Sequence, residues 1–170
     1  ILRCLVGSEM CIRDSSDQGD LAFQHYFVRE GCGPKVSGFS FDGIANAELN
    51  PLIREWLADC DGVIICPSNP FVSVDPLLHL DGFGEALKSL PVIAVSPIVG
   101  GIAIKGPAAK MMHELNMPAT ALAVADHYQG LIDGFVVDQT DAALVEQFNV
   151  PTISTPVSYT HLTLPTNGCV

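Results

Sequence analysis

A glycine-rich loop near the middle of the chain carries the residue types that bind phosphate. It follows an apolar run at residues 92–96 and leads into a helix predicted at residues 107–115. Glycine lets the backbone approach a ligand closely, and a helix N-terminus beside a lysine favours an anion. The candidate binding residues of this loop are Ser96, Pro97, Gly100, Gly101, Lys105 and Gly106. The pattern predicts a phosphate-binding loop.

The loop matches neither of two well-known nucleotide-binding patterns. A Walker loop places its lysine directly after the second glycine and follows it with serine or threonine, which Lys105 does not satisfy. The spacing of the dinucleotide fingerprint is also missing. The alternative is a hairpin turn at Gly100 and Gly101 with Lys105 in solvent. The residues alone leave both interpretations open.

A second loop with ligand-binding potential follows the apolar run at residues 63–66. Its candidate residues are Pro67, Ser68, Asn69, Pro70 and Ser73. Because Asn69 precedes a proline, its backbone is extended and its side chain is free to face a ligand or to cap the next turn. The alternative is a proline-stiffened connection in which Ser73 caps the following helix.

The remaining titratable residues do not define a catalytic or metal centre. His25, His79, His113 and His127 share no metal-ligand spacing such as i, i+4 on one helix. Asp138 follows an apolar run, where it is either a functional carboxylate or the cap of the next turn. No serine–histidine–aspartate order or carboxylate pair is present. The catalytic and metal-binding residues therefore stay unknown.

Apolar runs alternate with helical patterns through most of the chain. The runs at residues 63–66, 92–96 and 135–138 are short and continuous, which is typical of buried parallel strands. Helices are predicted between them, including residues 107–115 and 119–128. We predict an α/β fold with a Rossmann-like parallel sheet and helices on both faces. Because both candidate loops follow strands directly, they should open onto the same edge of that sheet.

Composition restricts the kind of partner. The chain has 170 residues, of which 48% are hydrophobic, enough for one core. Its 19 acidic and 8 basic residues give a net charge of −11, which disfavours nucleic acid and anionic membranes as partners. No apolar run approaches the ~20 residues that span a bilayer. The six cysteines show no short paired spacing, so we expect reduced thiols and a cytoplasmic protein.

The two ends differ from everything between them. Residues 1–15 and 157–170 resemble peptides produced when sequencing-adapter DNA is translated, so we interpret both as artefactual tails. The expected genuine segment is residues 16–156. We therefore expect an internal fragment of a longer protein.

Taken together, the loops resemble the 2-phospho-L-lactate transferase family (CofD-like). The residues that carry the resemblance are VIICPSNP at 63–70, SPIVGG at 96–101, KGPA at 105–108 and DGFVVD at 133–138, with further likeness at 23–29 and 36–43. These motifs occur in the family's order and cover nearly all of residues 16–156. The resemblance implies that this segment is the carboxyl-terminal part of an incomplete CofD-like domain.

The resemblance implies a transferase of coenzyme F(420) biosynthesis with small-molecule substrates. Such enzymes move a phospholactyl or phosphoenolpyruvyl group from a guanosine diphosphate-linked donor to the deazaflavin Fo and release GMP. They use Mg²⁺, and the intact parent would be a homodimer. On this basis Ser68, Asn69 and Ser73 contact the nucleotide part of the donor. The wall around the transferred group would comprise Gly100, Gly101 and Lys105.

Family members also have an amino-terminal glycine-rich phosphate loop and acidic residues for metal and acceptor, which this chain does not show. We therefore expect the fragment itself to be inactive. The alternative is a sugar-nucleotide-binding regulatory protein of the related gluconeogenesis-factor family. The loop of that family reads Gly-Pro-Gly-Ser where this chain has CPSN at residues 66–69.

Overall fold

The part of the chain that the structure describes begins with a small antiparallel sheet. The structure is a computed structural model and describes residues 12–103 and 106–157. Strands β1 (Ile12–Ser16), β2 (Gly19–Ala22) and β3 (Val36–Phe41) lie in the order β2-β1-β3. Strand β3 confirms the strand predicted from alternating polar and apolar residues. Strand β1 includes residues on both sides of the predicted boundary between the amino-terminal tail (1–15) and the genuine segment (16–156). The adapter origin of the tail stays a prediction.

The second sheet is parallel and forms the centre of the fold. The remaining described strands are β4 (Val63–Ile65), β5 (Val92–Val95), β6 (Ile98–Val99), β7 (Ile102–Ala103), β8 (Gly134–Asp138) and β9 (Thr152–Thr155). Within residues 12–103 and 106–157, four of these pair in parallel in the order β4-β5-β8-β9, while β6 and β7 form a separate hairpin. The predicted α/β class with a parallel sheet is confirmed.

Short helices connect the parallel strands. They are α1 (Pro51–Asp59), α2 (Asp75–Leu78), α3 (Phe83–Leu87), α4 (Ala108–Glu114) and α5 (Ala121–His127). Two have side-chain caps. Asn50 Oδ1 accepts a hydrogen bond from Leu52 N at 2.9 Å, and Thr120 Oγ1 accepts one from Ala123 N at 3.2 Å. These caps fix where α1 and α5 begin.

Tighter or wider helical turns replace regular α-helix at four places. The π-helical turns are His25–Arg29 and Pro70–Val74, and the 3₁₀ segments are Ile44–Asn46 and Gln139–Gln147. The sequence pattern of residues 141–148 favours an α-helix, but the structure has a 3₁₀ segment there instead. The carboxylates of Asp138 and Asp141 accept backbone N–H groups of Thr140 and Gly100, each at 2.9 Å, which holds this segment close to the end of β8.

One face of the parallel sheet is covered by helices. Val92 and Ala94 of β5 and Phe135 of β8 are fully buried together with Met111 and Met112 of α4. Each of these apolar side chains contributes roughly 1.5–3 kcal/mol by leaving water. This layer fixes the ends of β4 and β5 relative to α4.

The opposite face is exposed among the described residues. Ile64 and Ile93 are register partners on neighbouring strands and have 67% and 41% of their surface accessible, and Ile153 on β9 has 63%. The sequence predicted helices on both faces, but residues 12–103 and 106–157 provide a covering layer for one. An exposed row of isoleucines is a self-association risk.

Two sequence expectations concern the environment of the protein. None of the helices in the described ranges is long and apolar enough to cross a membrane. Cys32, Cys60 and Cys66 are free thiols, as the sequence predicts for cysteines without a paired spacing, and Cys66 is exposed.

Candidate functional site

A cavity of about 320 Å³ lies at the carboxyl ends of the adjacent strands β4 and β5. It is lined by Phe23, Phe27, Pro67, Ser68, Asn69, Val72, Ser73, Pro97, Gly106 and Pro107. The structure therefore brings the two candidate loops together at one edge of the sheet, as their positions after strands predicted. This edge is where parallel α/β sheets bind ligands.

Asn69 organises the first loop. Its side-chain Oδ1 accepts a hydrogen bond from Phe71 N at 3.0 Å, and its amide nitrogen lies 3.2 Å from Met111 Sδ. Pro70 is buried at the start of the π-helical turn, below the cavity rather than in its lining. Asn69 therefore caps the turn and also lines the cavity, while its contact with a ligand stays a prediction. Its capping bond fixes the path of the loop.

Ser68 and Ser73 are the hydroxyl groups of the cavity. Neither hydroxyl forms a hydrogen bond with the described residues. Ser73 is exposed and Ser68 is half-buried. The predicted capping role of Ser73 is wrong, because Asn69 provides the side-chain cap and Ser73 lies within the turn. Both hydroxyls are thus available to donate to, or accept from, a ligand.

Two phenylalanines complete the cavity on the side opposite this loop. Phe23 and Phe27 stack with ring centroids 5.6 Å apart and an interplanar angle of 22°. The sequence did not predict them as site residues. Their spacing of four residues within a helical turn was the available signal, because such residues share a face.

The central part of the second loop lies away from the cavity lining. Ser96 is fully buried, and its hydroxyl both donates to Ile98 O at 2.8 Å and accepts from Ile98 N at 3.1 Å. Gly100 and Gly101 form the turn between β6 and β7 with φ of +56° and +79°. Gly100 N donates to Asp141 Oδ2 at 2.9 Å. The hairpin alternative therefore describes the glycine pair, and Ser96 is structural.

The end of the second loop returns to the cavity. Gly106 lines it with a φ of +70°, and Pro107 lines it directly before α4. The predicted anion site at this helix N-terminus is weakened by the length of α4, seven residues, because the dipole effect needs aligned peptide units. Lys105 lies outside the described residues, so its predicted role stays a prediction.

No ionisable side chain belongs to the described cavity lining. Lys110 on α4 is engaged elsewhere, since its Nζ donates to Glu114 Oε1 at 2.5 Å, Pro34 O at 2.9 Å and Tyr26 OH at 3.3 Å. Burial alone would lower the pKa of Lys110, but the hydrogen bonds to Glu114 and Tyr26 outweigh it and raise that pKa. The described lining of the cavity is thus neutral and partly aromatic.

The described residues do not fit a magnesium site. Mg²⁺ prefers carboxylate and other oxygen ligands, and the cavity offers two hydroxyls and one amide. Residues 12–103 and 106–157 contain no group of three or more acidic, histidine or cysteine side chains arranged to hold a metal. Asp138 is occupied as a cap, with Oδ1 accepting from Thr140 N and Oδ2 from Val157 N, both at 2.9 Å. No step below is assigned to a metal.

The only histidine–carboxylate pair in the described ranges lies outside the cavity lining. His127 Nε2 is 2.8 Å from Asp75 Oδ1, and the His127 ring packs edge-on against Phe71. Burial raises the pKa of the neighbouring Tyr128 well above its ordinary value. This pair joins α5 to α2 and does not touch the cavity, so the catalytic residues stay unknown.

The described residues form an α/β domain with a cavity at the carboxyl edge of its parallel sheet. The chain belongs to the family described as 2-phospho-L-lactate transferase CofD, because residues 9–163 match the sequence model of that family. The family resemblance of the loops is confirmed. The match extends beyond residues 16–156 into both predicted tails.

Individual relatives agree with the family. The chain is 38% identical over 123 residues to a 2-phospho-L-lactate transferase of Methanosarcina barkeri, covering 72% of this chain and 40% of that protein. It is 32% identical over 145 residues to a phosphoenolpyruvate transferase of Streptomyces griseus, covering 84% and 46%. The chain thus spans less than half the length of these curated relatives.

A solved structure supports the fold. The chain is similar to the crystal structure of a UPF0052 family member from Bacillus halodurans, with a TM-score of 0.53, 16% sequence identity, and coverage of 85% of this chain and 51% of that one. At this identity the similarity shows the fold alone.

Proposed function

We propose that the intact protein is a transferase that moves a phospholactyl or phosphoenolpyruvyl group from a guanosine diphosphate-linked donor to the deazaflavin Fo. The terminal hydroxyl of Fo attacks the phosphorus, and the bond from phosphorus to the departing GMP breaks. Alignment and charge neutralisation do most of the work in such displacements. The product belongs to coenzyme F(420) biosynthesis.

One observation carries this proposal. In a chain of the CofD family, the motif residues Ser68, Asn69 and Ser73 meet Pro97 and Gly106 around one cavity at the ligand-binding edge of the sheet. A structural connection would not require two free hydroxyls facing a cavity. The convergence of separate loops on one cavity is the usual form of a substrate site.

The described residues would bind and orient rather than react. The hydroxyls of Ser68 and Ser73 would hydrogen-bond the ligand, and the capped Asn69 would hold them in place. Lys105 would neutralise phosphate charge near Gly106, as the resemblance implies. The reacting groups and the Mg²⁺ ligands would come from outside the described residues.

The acyl group of the donor stays open between two choices. Relatives of this chain are named for 2-phospho-L-lactate and for phosphoenolpyruvate. The described lining of the cavity includes no cation that would distinguish the two groups. We further propose that the intact enzyme is a cytoplasmic homodimer.

The experiment uses the full-length protein recovered from the longer reading frame. It is incubated with Mg²⁺, Fo and each guanylated donor in turn, and GMP is measured by chromatography, with Fo omitted as the control. The proposal expects GMP release that depends on Fo. GMP release that does not depend on Fo would reject the proposal. No GMP release together with tight UDP-sugar binding would also reject it and would favour the sugar-nucleotide-binding regulatory class.

A further inference from the structure

We propose that Phe23 and Phe27 form a stacking surface that binds a planar heteroaromatic ring at the mouth of the cavity. The identity of the ring rests on the proposed function, which offers two: the guanine base of the donor and the deazaflavin of the acceptor. Both are flat and have hydrogen-bonding edges. The stacking surface itself rests on geometry.

The two rings are held in a defined arrangement. Phe27 lies in the π-helical turn His25–Arg29, and Phe23 lies just before it. Their centroids are 5.6 Å apart with an interplanar angle of 22°, a stacked geometry. Phe23 is partly buried against the core, whereas Phe27 has 43% of its surface exposed. The inner ring thus supports an outer ring that a ligand can reach.

The turn that carries Phe27 is anchored from behind. Tyr26 is fully buried, and its hydroxyl accepts a hydrogen bond from Lys110 Nζ at 3.3 Å. Lys110 also donates to Pro34 O at 2.9 Å, directly before β3. These contacts tie the turn to α4, which begins next to the cavity-lining Pro107. The two phenylalanines are therefore presented by a fixed support, which lowers the cost of ordering them on binding.

The rest of the cavity suits a ring better than a diphosphate. Pro67, Pro97, Pro107 and Val72 add apolar surface to that of the phenylalanines, and the described lining contains no ionisable side chain. Nothing in the described lining would compensate a diphosphate for the hydration that it loses on burial. A ring, in contrast, would bury its faces while its polar edge met the hydroxyls of Ser68 and Ser73.

The size of the cavity points the same way. The described lining encloses about 320 Å³, at the lower end of the range for small-molecule sites, which is enough for one ring system. The phosphates would then extend past Gly106. This division of the ligand assigns Phe23 and Phe27 to recognition of the ring and leaves the reacting centre outside the cavity.

The test measures ring binding to the 170-residue chain by equilibrium dialysis. The ligands are GMP, Fo and ribose 5-phosphate, which lacks a ring. Phe27→Leu keeps an apolar side chain but removes the ring, and Phe27→Tyr keeps the ring. Trp56→Leu is the matched control, because Trp56 is an exposed aromatic residue on α1 that does not line the cavity. Circular dichroism verifies that each variant is folded.

We expect Phe27→Leu to raise the dissociation constant of at least one ring ligand about tenfold, within the range for stacking on aromatic side chains. Phe27→Tyr and Trp56→Leu should bind as the parent chain does. A loss confined to GMP identifies the guanine base, a loss confined to Fo identifies the deazaflavin, and a loss of both shows a surface that accepts either ring.

Three results would overturn the stacking surface: no measurable binding of either ring ligand, unchanged binding in Phe27→Leu, or an equal loss for ribose 5-phosphate. If Phe27→Leu does not fold, the affinity of Phe27→Tyr decides the question. Normal affinity of Phe27→Tyr for the ring ligands supports the stacking surface, and a tenfold loss of that affinity refutes it. The proposed function fails separately. If the full-length protein releases no GMP but ring binding depends on Phe27, the proposed transfer reaction is rejected and the stacking surface is retained.

Discussion

The buried carboxyl group of Asp14 should contribute less to the stability of the chain at neutral pH than in mild acid. Asp14 on β1 is fully buried, and neither carboxylate oxygen has a hydrogen-bond partner among the described residues. Burial raises its pKa from 3.8 to about 6. Between these values the folded chain binds more protons than the unfolded chain, so stability is present below pH 3.8 and is lost as the pH rises through 6.

The magnitude follows from the pKa difference. Each tenfold change in acid dissociation is worth about 1.4 kcal/mol, so ionised Asp14 costs the folded state about 3 kcal/mol relative to protonated Asp14. This is a large share of the 5–15 kcal/mol that is typical of whole domains. Asp14→Leu removes the charge and keeps a side chain of similar length. The variant should therefore gain about 3 kcal/mol more over the parent at pH 7.5 than at pH 3.5.

The assay is urea unfolding of both chains at half-unit steps between pH 3.5 and 7.5. The informative quantity is the difference in free energy of unfolding between Asp14→Leu and the parent, because the contributions of the other carboxyl groups cancel in that difference. Asp61→Leu, at an exposed carboxylate, is the control and should give a difference that is nearly independent of pH. If the difference for Asp14→Leu is also independent of pH, burial does not destabilise the ionised carboxyl group of Asp14, and water reaches it.

Three further predictions concern the site and the exposed sheet face. Asn69→Ala should cost about 1 kcal/mol by removing a cap and should also weaken GMP binding severalfold, whereas Asn50→Ala should cost the same stability alone. Gly100→Ala should cost about 1 kcal/mol or more in urea unfolding but leave GMP binding unchanged, because its φ is +56° and its Cβ would lie 3.3 Å from Thr140 Cγ2. Ile93→Thr should reduce concentration-dependent association, measured by sedimentation velocity.

Each of these has a control or a contrary result. Normal GMP binding by Asn69→Ala would show that this cap does not position the residues that bind GMP. Gly130→Ala, at a φ of +77° with open space around the new Cβ, separates backbone strain from the clash at Gly100. Loss of GMP binding in Gly100→Ala would show that Gly100 belongs to the binding site. Unchanged association of Ile93→Thr would show that the contact lies elsewhere.

The parallel sheet and the meeting of the two loops followed from local sequence. Short continuous apolar runs predict buried strands, and parallel strands bring their carboxyl ends to one edge, so the loops after β4 and β5 converge. The cap by Asn69 was also visible, because an asparagine before a proline is a known turn former. These features depend on near neighbours in the chain.

Other features depend on contacts that the sequence does not display. The bond from Gly100 N to Asp141 joins residues far apart in the chain, and it decides that the glycine pair is a hairpin turn and not a ligand cradle. Phe23 and Phe27 join the site because Lys110 anchors their turn from another element. Asp14 lies within the predicted tail, and its burial without a hydrogen-bond partner among the described residues was not visible in the sequence.

The most direct test of the cavity as the substrate site is the kinetics of the full-length protein with Ser68 and Ser73 both changed to alanine. Two lost hydrogen bonds of about 1 kcal/mol each should lower kcat/KM for GMP release tenfold or more, whereas Ser89→Ala, at an exposed serine outside the cavity, should have no effect. Unchanged kcat/KM in the double variant would contradict the account and place the substrates elsewhere.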